Sequence, residues 1–217
     1  MADLTDDPYR AARLLLHLRQ EGVTDARVLT AMETLDRAAF VDDARLAPLA
    51  FEDAVLPISC GQIILRPAAT GHLLQALALP EDASARVLLV GFGAGYMAAV
   101  AARLSAHVYA IDRYAGLVRE GEARLARLGI GNVTVRQSDG LLGWPEEAPF
   151  DRIVLAGAVA EVPPALLGQL AGDGRLAAVV TAGAGRAVVS MGRGGGVQQT
   201  PFFQQVPPLT EGVAAAL

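Results

Sequence analysis

Apolar and helix-forming segments alternate along most of the chain. A continuous apolar run at 87–90 predicts a buried strand, and the Ala- and Leu-rich segment 98–104 after it predicts a helix. The alternation continues with predicted strands at 108–111, 133–135, 150–155 and 176–180, and predicted helices at 117–128 and 163–170. Runs at 187–191 and 197–203 flank Gly192 to Gly196 and predict a closing hairpin. The pattern predicts an α/β fold with a doubly wound, mostly parallel seven-stranded sheet and a C-terminal antiparallel hairpin.

The first 80 residues have a different pattern. Asp7 and Pro8 are expected to open a helix that ends at Gly22, and Thr24 is expected to cap a second one. Segment 37–51 has no clear period. Segment 55–67 is apolar but interrupted by Pro and Gly, which predicts a loop without regular structure, and a helix is expected at 67–79. We therefore expect residues 1–80 to form a helical and loop cap, packed as one compact unit with a ligand-binding domain at 81–217.

The first predicted strand ends in a glycine-rich turn, at Gly91, Gly93 and Gly95. A strand, a glycine turn and a helix form the nucleotide-type site of open α/β sheets. Tyr96 stands where the dinucleotide fingerprint has its third glycine, which disfavours a pyrophosphate and favours a ligand such as S-adenosylmethionine. Asp112 ends the next strand, roughly 20 positions after Gly91, where an acid accepts from ribose hydroxyls. Asp139, after the third strand, is placed to accept from an adenine amino group.

Composition excludes several function classes. The 217 residues carry a formal charge of −5, so no broad electrostatic attraction to nucleic acid is expected. All 18 basic residues are Arg, which excludes catalytic-lysine chemistry. The single cysteine, Cys60, excludes an internal disulfide, and we expect it to be a buried apolar residue. No metal site is expected, because His17, His72 and His107 lack ligand spacing. The uncharged apolar run at 87–102 is too short to span a membrane, and no apolar signal core opens the chain, so a cytoplasmic protein is expected.

Motifs from about residue 22 to residue 208 resemble those of the protein-L-isoaspartate O-methyltransferases, which methylate the carboxylate of damaged isoaspartyl residues. The segment Leu56 to Pro67 is peculiar to this family among methyltransferases. The matching motifs are Arg37-x-x-Phe40-Val41, Ala50-Phe51-Glu52-Asp53, Leu56-Pro57-Ile58, Gly61-Gln62, Pro67, Gly95-Tyr96, Leu128-Gly129, Asn132-Val133, Asp139-Gly140, Pro149-Phe150-Asp151 and Gln169-Leu170.

The resemblance implies a Rossmann-like methyltransferase fold, S-adenosylmethionine as cofactor with S-adenosylhomocysteine as product, and an isoaspartyl peptide or protein as substrate. It also implies a monomer, with neither nucleic acid nor membrane as a partner. The implied substrate-loop positions are Gln62, Ile63, Leu65 and Arg66. The implied cofactor-binding positions are Gly91, Phe92, Gly93, Gly95, Asp112, Arg113, Asp139, Gly140 and Ala156.

Several positions that are polar in the family are apolar here. The substrate-loop Thr and Ser, whose hydroxyls are thought to engage the substrate carboxylate, are Ile63 and Leu65. The acid two places before the first glycine is Leu89, and Thr is replaced at Phe92 and at Ala156. Each lost donor costs about 1–3 kcal/mol, or roughly 10- to 100-fold in rate or affinity. Slow methylation of isoaspartate is therefore expected.

Three alternatives follow from these replacements. The protein is a methyltransferase of isoaspartyl carboxylates, a degenerate relative that acts as a binding or regulatory module, or a methyltransferase with a less polar acceptor. In the first case, Arg66 is a candidate to bind the carboxylate in place of the lost hydroxyls, against the alternative that it is a solvated residue at a helix start. Tyr114 and Trp144 are candidates to pack against adenine or in the core, and Glu52-Asp53 is expected to be a solvated pair.

Overall fold

A computed structural model of the chain describes residues 9–182, 185–202 and 204–214, and it contains a seven-stranded sheet and a separate two-stranded hairpin. The helices are α1 (Arg10–Gln20), α2 (Ala26–Glu33), α3 (Pro67–Ala76), α4 (Tyr96–Ala102), α5 (Ala115–Arg127) and α6 (Pro164–Gly168). The strands are β1 (Leu56–Pro57), β2 (Ile63–Ile64), β3 (Arg86–Val90), β4 (His107–Asp112), β5 (Val133–Gln137), β6 (Phe150–Val159), β7 (Leu170–Ala182), β8 (Gly185–Gly192) and β9 (Val197–Pro201).

The sheet has the strand order β5-β4-β3-β6-β7-β8-β9. Strands β3 to β7 are parallel to one another, and β8 and β9 close the sheet as an antiparallel hairpin. The chain order reverses beside β3, which lies between β4 and β6. In open α/β sheets such a switch point leaves a crevice at the carboxyl ends of the strands, where ligands bind. The predicted doubly wound, mostly parallel sheet with its terminal hairpin is confirmed.

Both faces of the sheet are covered, as β3 illustrates. Val87 and Leu89 belong to a large core that contains buried side chains of α1 to α5. Leu88 and Val90 belong to a second core with α6 and the segment before β6. Alternate side chains of a strand point to opposite faces, so a strand buried on both faces reads as a continuous apolar run. This is why the run at 87–90 predicted its strand correctly.

The N-terminal layer differs from its prediction in three places. Asp25, not Thr24, caps α2, because its Oδ1 accepts from the backbone N–H of Arg27 at 2.9 Å. Segment 37–51 forms two 3₁₀ helices, Arg37–Phe40 and Ala44–Phe51. The predicted irregular loop at 55–67 contains the hairpin β1–β2, whose short strands fit between the Pro and Gly interruptions. The expected helix start at Asp7 and Pro8 lies outside the described residues.

The C-terminal half differs mainly in length. The predicted Gly172-Asp173-Gly174 turn lies inside β7, where the pairing with β6 shifts from Phe150↔Leu170 to Arg152↔Arg175. The extra residues form a bulge, so the chain stays in the sheet instead of leaving it. Strand β6 runs to Val159, beyond its predicted end, because it pairs with β7 along this length. Phe203, the predicted end of the last strand, is outside the described residues.

Within the described part of the chain, no helix combines the length and the apolar character needed to cross a bilayer.

Candidate functional site

A cavity of about 360 Å³ opens at the carboxyl ends of β3, β4 and β6, at the switch point of the sheet. This volume lies in the range of small-molecule sites, about 300–1,000 Å³. The cavity is lined by Gly61, Gln62, Ile63, Leu65, Val90, Gly91, Gly93, Ile111, Asp112, Arg113, Tyr114, Leu117, Gly140, Leu141, Ala156, Gly157, Pro207, Pro208, Leu209 and Thr210. Nine of the thirteen predicted site residues are among them; Arg66, Phe92, Gly95 and Asp139 are not.

The glycine turn forms the floor of the cavity. Gly91 has φ +91°, a conformation that side chains with a Cβ rarely adopt, and its backbone N–H donates to Ile111 O at 2.9 Å. A Cβ at Gly91 would lie 3.4 Å from Leu209 Cδ2 and 3.5 Å from Ala156 Cβ. Glycine at this position therefore leaves open the space between the turn and the opposite wall.

Asp112 closes the other side of the turn. Its Oδ2 accepts from the backbone N–H of Gly93 at 2.8 Å, and its Oδ1 accepts from that of Tyr114 at 3.0 Å. Burial raises the pKa of Asp112 above its ordinary value, and these two hydrogen bonds oppose the rise without cancelling it. The carboxylate is thus a fixed acceptor at the cavity edge that the fold holds at some electrostatic cost.

The segment from β1 to the first residue of α3, which we call the substrate loop (residues 56–67), forms a second wall. Ser59 Oγ donates to Glu120 Oε2 of α5 at 2.7 Å and anchors the loop tip. Cys60 is half-buried, at φ +58°, and a Cβ at Gly116 would lie 3.6 Å from its Sγ. Ile63 and Leu65 both line the cavity, so this wall of the ligand space is apolar.

Arg37 holds the substrate loop from below. Its side chain is 1% exposed, and its guanidinium donates to the carbonyls of Ala50 (3.1 Å), Ala54 (2.8 Å) and Leu65 (3.1 Å). Burial lowers the pKa of Arg37 to about 10. Among the described residues no carboxylate lies within ion-pair distance of the guanidinium, so its direct partners are backbone carbonyls, while Tyr96 and Asp53 oppose the lowering of its pKa from farther away. Its role is to fix the backbone of the loop.

Arg66 points away from the cavity. Its Nε donates to the Asp53 carbonyl at 2.8 Å and lies 3.2 Å from Asp53 Oδ2. Asp53 was expected to be solvated, but its side chain is 6% exposed and its Oδ1 accepts from the backbone N–H of Ala68 at 2.8 Å. The carboxylate satisfies a free N–H at the start of α3, which explains its burial.

Phe92 also points away from the cavity. Its ring packs against α5 at Gly121 and against Gly95, which is the N-cap of α4. The bulky residue of the glycine turn therefore does not project into the cavity.

The C-terminal segment 207–214, which we call the strap, covers the cavity. The Ala158 backbone N–H donates to Pro207 O at 2.8 Å, and that of Leu209 donates to Ala158 O at 2.9 Å. Gly157 is required here, since a Cβ on it would lie 2.6 Å from Leu209 Cγ. The strap has no periodic pattern, so nothing in the sequence predicted that residues 207–210 line the site.

Asp139 lies beneath the strap, beside the cavity. Its Oδ1 accepts from the backbone N–H of Leu141 at 3.0 Å, and its Oδ2 accepts from that of Gly212 at 2.7 Å. Arg113, on the opposite side, donates to Thr210 Oγ1. The strap is thus tied to Asp139 and Arg113, two of the predicted cofactor-binding positions.

Other candidate residues have structural partners. Trp144 is buried with its ring 5.7 Å from that of Tyr109, in the core and not in the cavity. His72 contacts Glu21 O at 2.9 Å, and His107 contacts Thr134 Oγ1 at 2.8 Å. His17 faces Asp53 at 3.6 Å. The described residues contain no group of three or more His, Cys, Asp or Glu that could hold a metal ion.

The fold and the site together define the class of the protein: a doubly wound α/β protein with a ligand cavity at the switch point of its sheet. Its family follows from comparison with known sequences. The profile of the protein-L-isoaspartate(D-aspartate) O-methyltransferase (PCMT) family matches residues 9–201. The chain belongs to this methyltransferase family.

Individual relatives agree with this assignment. The chain is 43% identical over 204 residues to the protein-L-isoaspartate O-methyltransferase of Caulobacter sp. (strain K31), covering 93% of this chain and 92% of the relative. It is 41% identical over 213 residues to that of Maricaulis maris, covering 97% and 98%. A solved structure described as a protein-L-isoaspartate O-methyltransferase from Plasmodium falciparum, in complex with S-adenosyl-L-homocysteine, matches with a TM-score of 0.78 at 21% identity. It covers 95% of this chain and 100% of that one, and supports the fold.

Proposed function

We propose that this protein transfers a methyl group from S-adenosylmethionine to the carboxylate of isoaspartyl residues in damaged proteins. The observation that carries the proposal is a single cavity that joins the glycine turn and Asp112 to Gln62, Ile63 and Leu65 of the substrate loop. A cofactor seated on the turn and an acceptor seated on the loop would then meet in one enclosed space, as transfer between two bound molecules requires.

The lining residues fit an adenosyl cofactor. Gly91 and Gly93 leave room for a ligand to lie against the backbone, and Asp112 is a fixed acceptor for ribose hydroxyls. A Cβ at Gly140 would lie 2.4 Å from Val90 Cγ1, so the backbone approaches β3 closely there. Asp139 lies beside the cavity and does not line it, but each of its oxygens accepts one backbone hydrogen bond and keeps a further lone pair for an adenine amino group at the cavity edge.

The remaining predicted positions are given supporting roles in this proposal. Arg113 and Ala156 form walls, and Gly95 shapes the turn by capping α4. Phe92 supports the turn from behind, through its packing against Gly121.

The reaction needs little from the side chains beyond placement. When bound, S-adenosylmethionine supplies an electrophilic methyl group on a sulfonium that leaves as S-adenosylhomocysteine. The acceptor carboxylate is already anionic at neutral pH, so no general base is needed. The protein contributes by holding the carboxylate in line, keeping water out and avoiding a strong rise in the carboxylate pKa.

The apolar wall at Ile63 and Leu65 favours a second candidate. Leu65 is 7% exposed and faces the cavity, so a carboxylate beside it would lose hydration without gaining a donor. A degenerate relative that binds the cofactor without methylating, or a methyltransferase with a less polar acceptor, would suit this wall.

Two measurements separate these functions. Transfer of a labelled methyl group to an isoaspartyl peptide, with the aspartyl peptide of the same sequence as control, tests the proposed reaction. Calorimetric titration with S-adenosylmethionine tests cofactor binding by itself. Methylation of the isoaspartyl peptide but not of the aspartyl peptide supports the proposal. Cofactor binding without methylation supports the second candidate. No cofactor binding would contradict both.

The proposal extends to organisation. We propose a cytoplasmic monomer, without nucleic-acid or membrane partners, in which residues 1–80 form a cap on the cofactor-binding domain 81–217. Contacts of α3 with β6, β7 and β8, and a large core shared by both parts, support one compact unit. Light scattering after gel filtration tests the monomer, and a fragment 81–217 that does not fold alone would support the compact unit.

A further inference from the structure

The acceptor end of the cavity has few hydrogen-bond donors. Ile63, Leu65 and Leu117 present apolar side chains, and Arg66 is held outside by Asp53. The described lining residues with a side-chain donor are Gln62, Arg113, Tyr114 and Thr210.

Of these four donors, Gln62 belongs to the substrate loop and Tyr114 lies next to it. The Arg113 guanidinium donates a hydrogen bond to Thr210 Oγ1 in the strap. The Gln62 Nε2 atom, by contrast, lies 3.5 Å from Tyr114 Oη and 3.3 Å from Cys60 O. Gln62 and Tyr114 are therefore neighbours that reach the cavity from different elements.

The hydroxyl of Tyr114 has an unused proton. Its oxygen faces the Gln62 amide, a donor, and in residues 9–182, 185–202 and 204–214 it has no hydrogen-bond acceptor. A partly buried tyrosine hydroxyl ordinarily finds a partner. The position is also rigid, because Tyr114 is the N-cap of α5 and Asp112 Oδ1 binds its backbone N–H at 3.0 Å.

We propose that the Tyr114 hydroxyl and the Gln62 amide donate hydrogen bonds to the acceptor carboxylate. Tyr114 in this way supplies, from the neighbouring helix start, a hydroxyl in place of those that Ile63 and Leu65 lack. The inference rests on the proposed function, and it assigns Tyr114 as a specificity residue for a carboxylate acceptor.

The charge change of the reaction predicts which kinetic constant responds. The carboxylate is fully charged when it binds and becomes a neutral ester, so donors stabilise the bound ground state at least as well as the transition state. Loss of such a donor raises KM and leaves kcat nearly unchanged. Tyr114→Phe should raise the KM for an isoaspartyl peptide roughly 10- to 100-fold, the cost of a donor to a charged group.

The matched control is Tyr109→Phe. This tyrosine lies on β4, and its ring packs against Trp144 and Phe150 instead of lining the cavity. The same deletion of a hydroxyl there should leave KM and kcat unchanged. S-Adenosylmethionine affinity should also be the same in Tyr114→Phe as in the unaltered protein, since the ring stays in place.

Kinetics and binding together test the inference. Steady-state methylation of an isoaspartyl peptide is measured for the unaltered protein, Tyr114→Phe, Tyr109→Phe and Tyr114→Phe/Ile63→Thr. Calorimetry with the protein saturated in S-adenosylhomocysteine then compares that peptide with its analogue that carries a carboxamide in place of the acceptor carboxylate. We expect Tyr114→Phe to weaken binding of the carboxylate peptide but not of the carboxamide peptide. Adding Ile63→Thr to Tyr114→Phe should restore part of the lost affinity for the carboxylate peptide.

The outcomes distinguish failure of the role of Tyr114 from failure of the proposed function. An active protein whose KM changes less than twofold in Tyr114→Phe overturns the role of Tyr114 and leaves the proposed function standing. Equal weakening for carboxylate and carboxamide peptides also overturns it. A protein that binds the cofactor but neither binds nor methylates the isoaspartyl peptide overturns the proposed function, and the inference with it.

Discussion

The ring of Phe92 fills the space that a side chain at Gly121 would need. A Cβ at Gly121 would lie 2.1 Å from Phe92 Cε1 and 2.7 Å from Cζ. Phe92 is 3% exposed and also contacts Gly95, so its ring has little freedom to move. The aromatic residue in the glycine turn is thus matched by a glycine on α5.

Gly121→Ala should destabilise the protein by about 1–3 kcal/mol, the typical cost of overpacking a core. Helix propensity alone predicts the opposite sign, a gain of about 1 kcal/mol for Gly→Ala inside a helix. Chemical denaturation measures the difference. The control is Gly168→Ala in α6, where a Cβ meets nothing within 4 Å. In a Phe92→Thr background the cost of Gly121→Ala should disappear, and equal costs in both backgrounds would contradict the pairing.

Arg37→Met should lower the free energy of unfolding by about 3–5 kcal/mol, because it leaves several buried carbonyls without a donor. Arg37→Lys keeps the positive charge but not the planar set of donors. Its free energy of unfolding should therefore lie between those of the unaltered protein and of Arg37→Met. Urea denaturation provides the measurement. Arg45→Met, at an exposed arginine, is the control and should leave the denaturation midpoint unchanged. A loss in Arg37→Met no larger than in the control would show that the carbonyls find other donors.

The affinity for S-adenosylmethionine should decrease at acidic pH because of Asp112. Its pKa is raised by burial, so the ionised acceptor is lost at a higher pH than for an ordinary aspartate. S-Adenosylmethionine affinity should therefore fall as the pH drops through that raised pKa. Asp112→Asn should weaken binding roughly 10- to 100-fold at neutral pH, the value of a hydrogen bond to a charged group, and flatten this dependence on pH. Calorimetry from neutral pH down to the ordinary aspartate pKa of about 3.9 measures both.

The raised pKa of Asp112 also determines how the free energy of unfolding changes with pH. A group whose folded pKa lies above its unfolded value contributes stability at low pH and loses it as pH rises through the folded pKa. The stability of the unaltered protein relative to Asp112→Asn should accordingly fall as pH rises through this window. A difference that grows with pH would contradict the raised pKa.

Hydroxyls introduced at the two apolar positions of the substrate loop should raise activity. Ile63→Thr/Leu65→Ser is expected to increase kcat/KM for an isoaspartyl peptide roughly 10- to 100-fold. Because Leu65 is buried, stability should fall by about 2–4 kcal/mol. Ile63→Val/Leu65→Ala removes similar volume without adding hydroxyls. Equal activity in the two double variants would attribute the gain to space and not to hydrogen bonds.

Arg66→Ala should leave kcat/KM within about twofold of the unaltered protein, because the guanidinium is bound to Asp53 outside the cavity. The lost ion pair is partly exposed and worth at most about 1 kcal/mol. Methylation kinetics and a thermal melt test both points. A loss of activity above tenfold, with the fold intact, would instead place Arg66 at the substrate.

Local patterns were sufficient for the seven-stranded sheet and the helices between its parallel strands, because each buried strand carries its own apolar run and each of these helices its own helix-forming residues. The run at 87–90 and the glycines after it located the floor of the cavity, and Asp112 could be placed because parallel strands end at one edge of the sheet. The family motifs were likewise legible in the sequence. These features depend on neighbours along the chain.

Other features were decided by contacts between distant segments. The direction of Arg66 depends on Asp53, that of Phe92 on Gly121, and the neighbourhood of Tyr114 on Gln62, 52 positions away. The strap reaches the cavity because its backbone pairs with Ala158 of β6 and because Asp139 and Arg113 bind it. The sequence by itself determined which elements form and where the ligand turn lies. Tertiary packing alone decided which side chains face the ligand, because that choice is set by the space and the hydrogen-bond partners that remote residues leave.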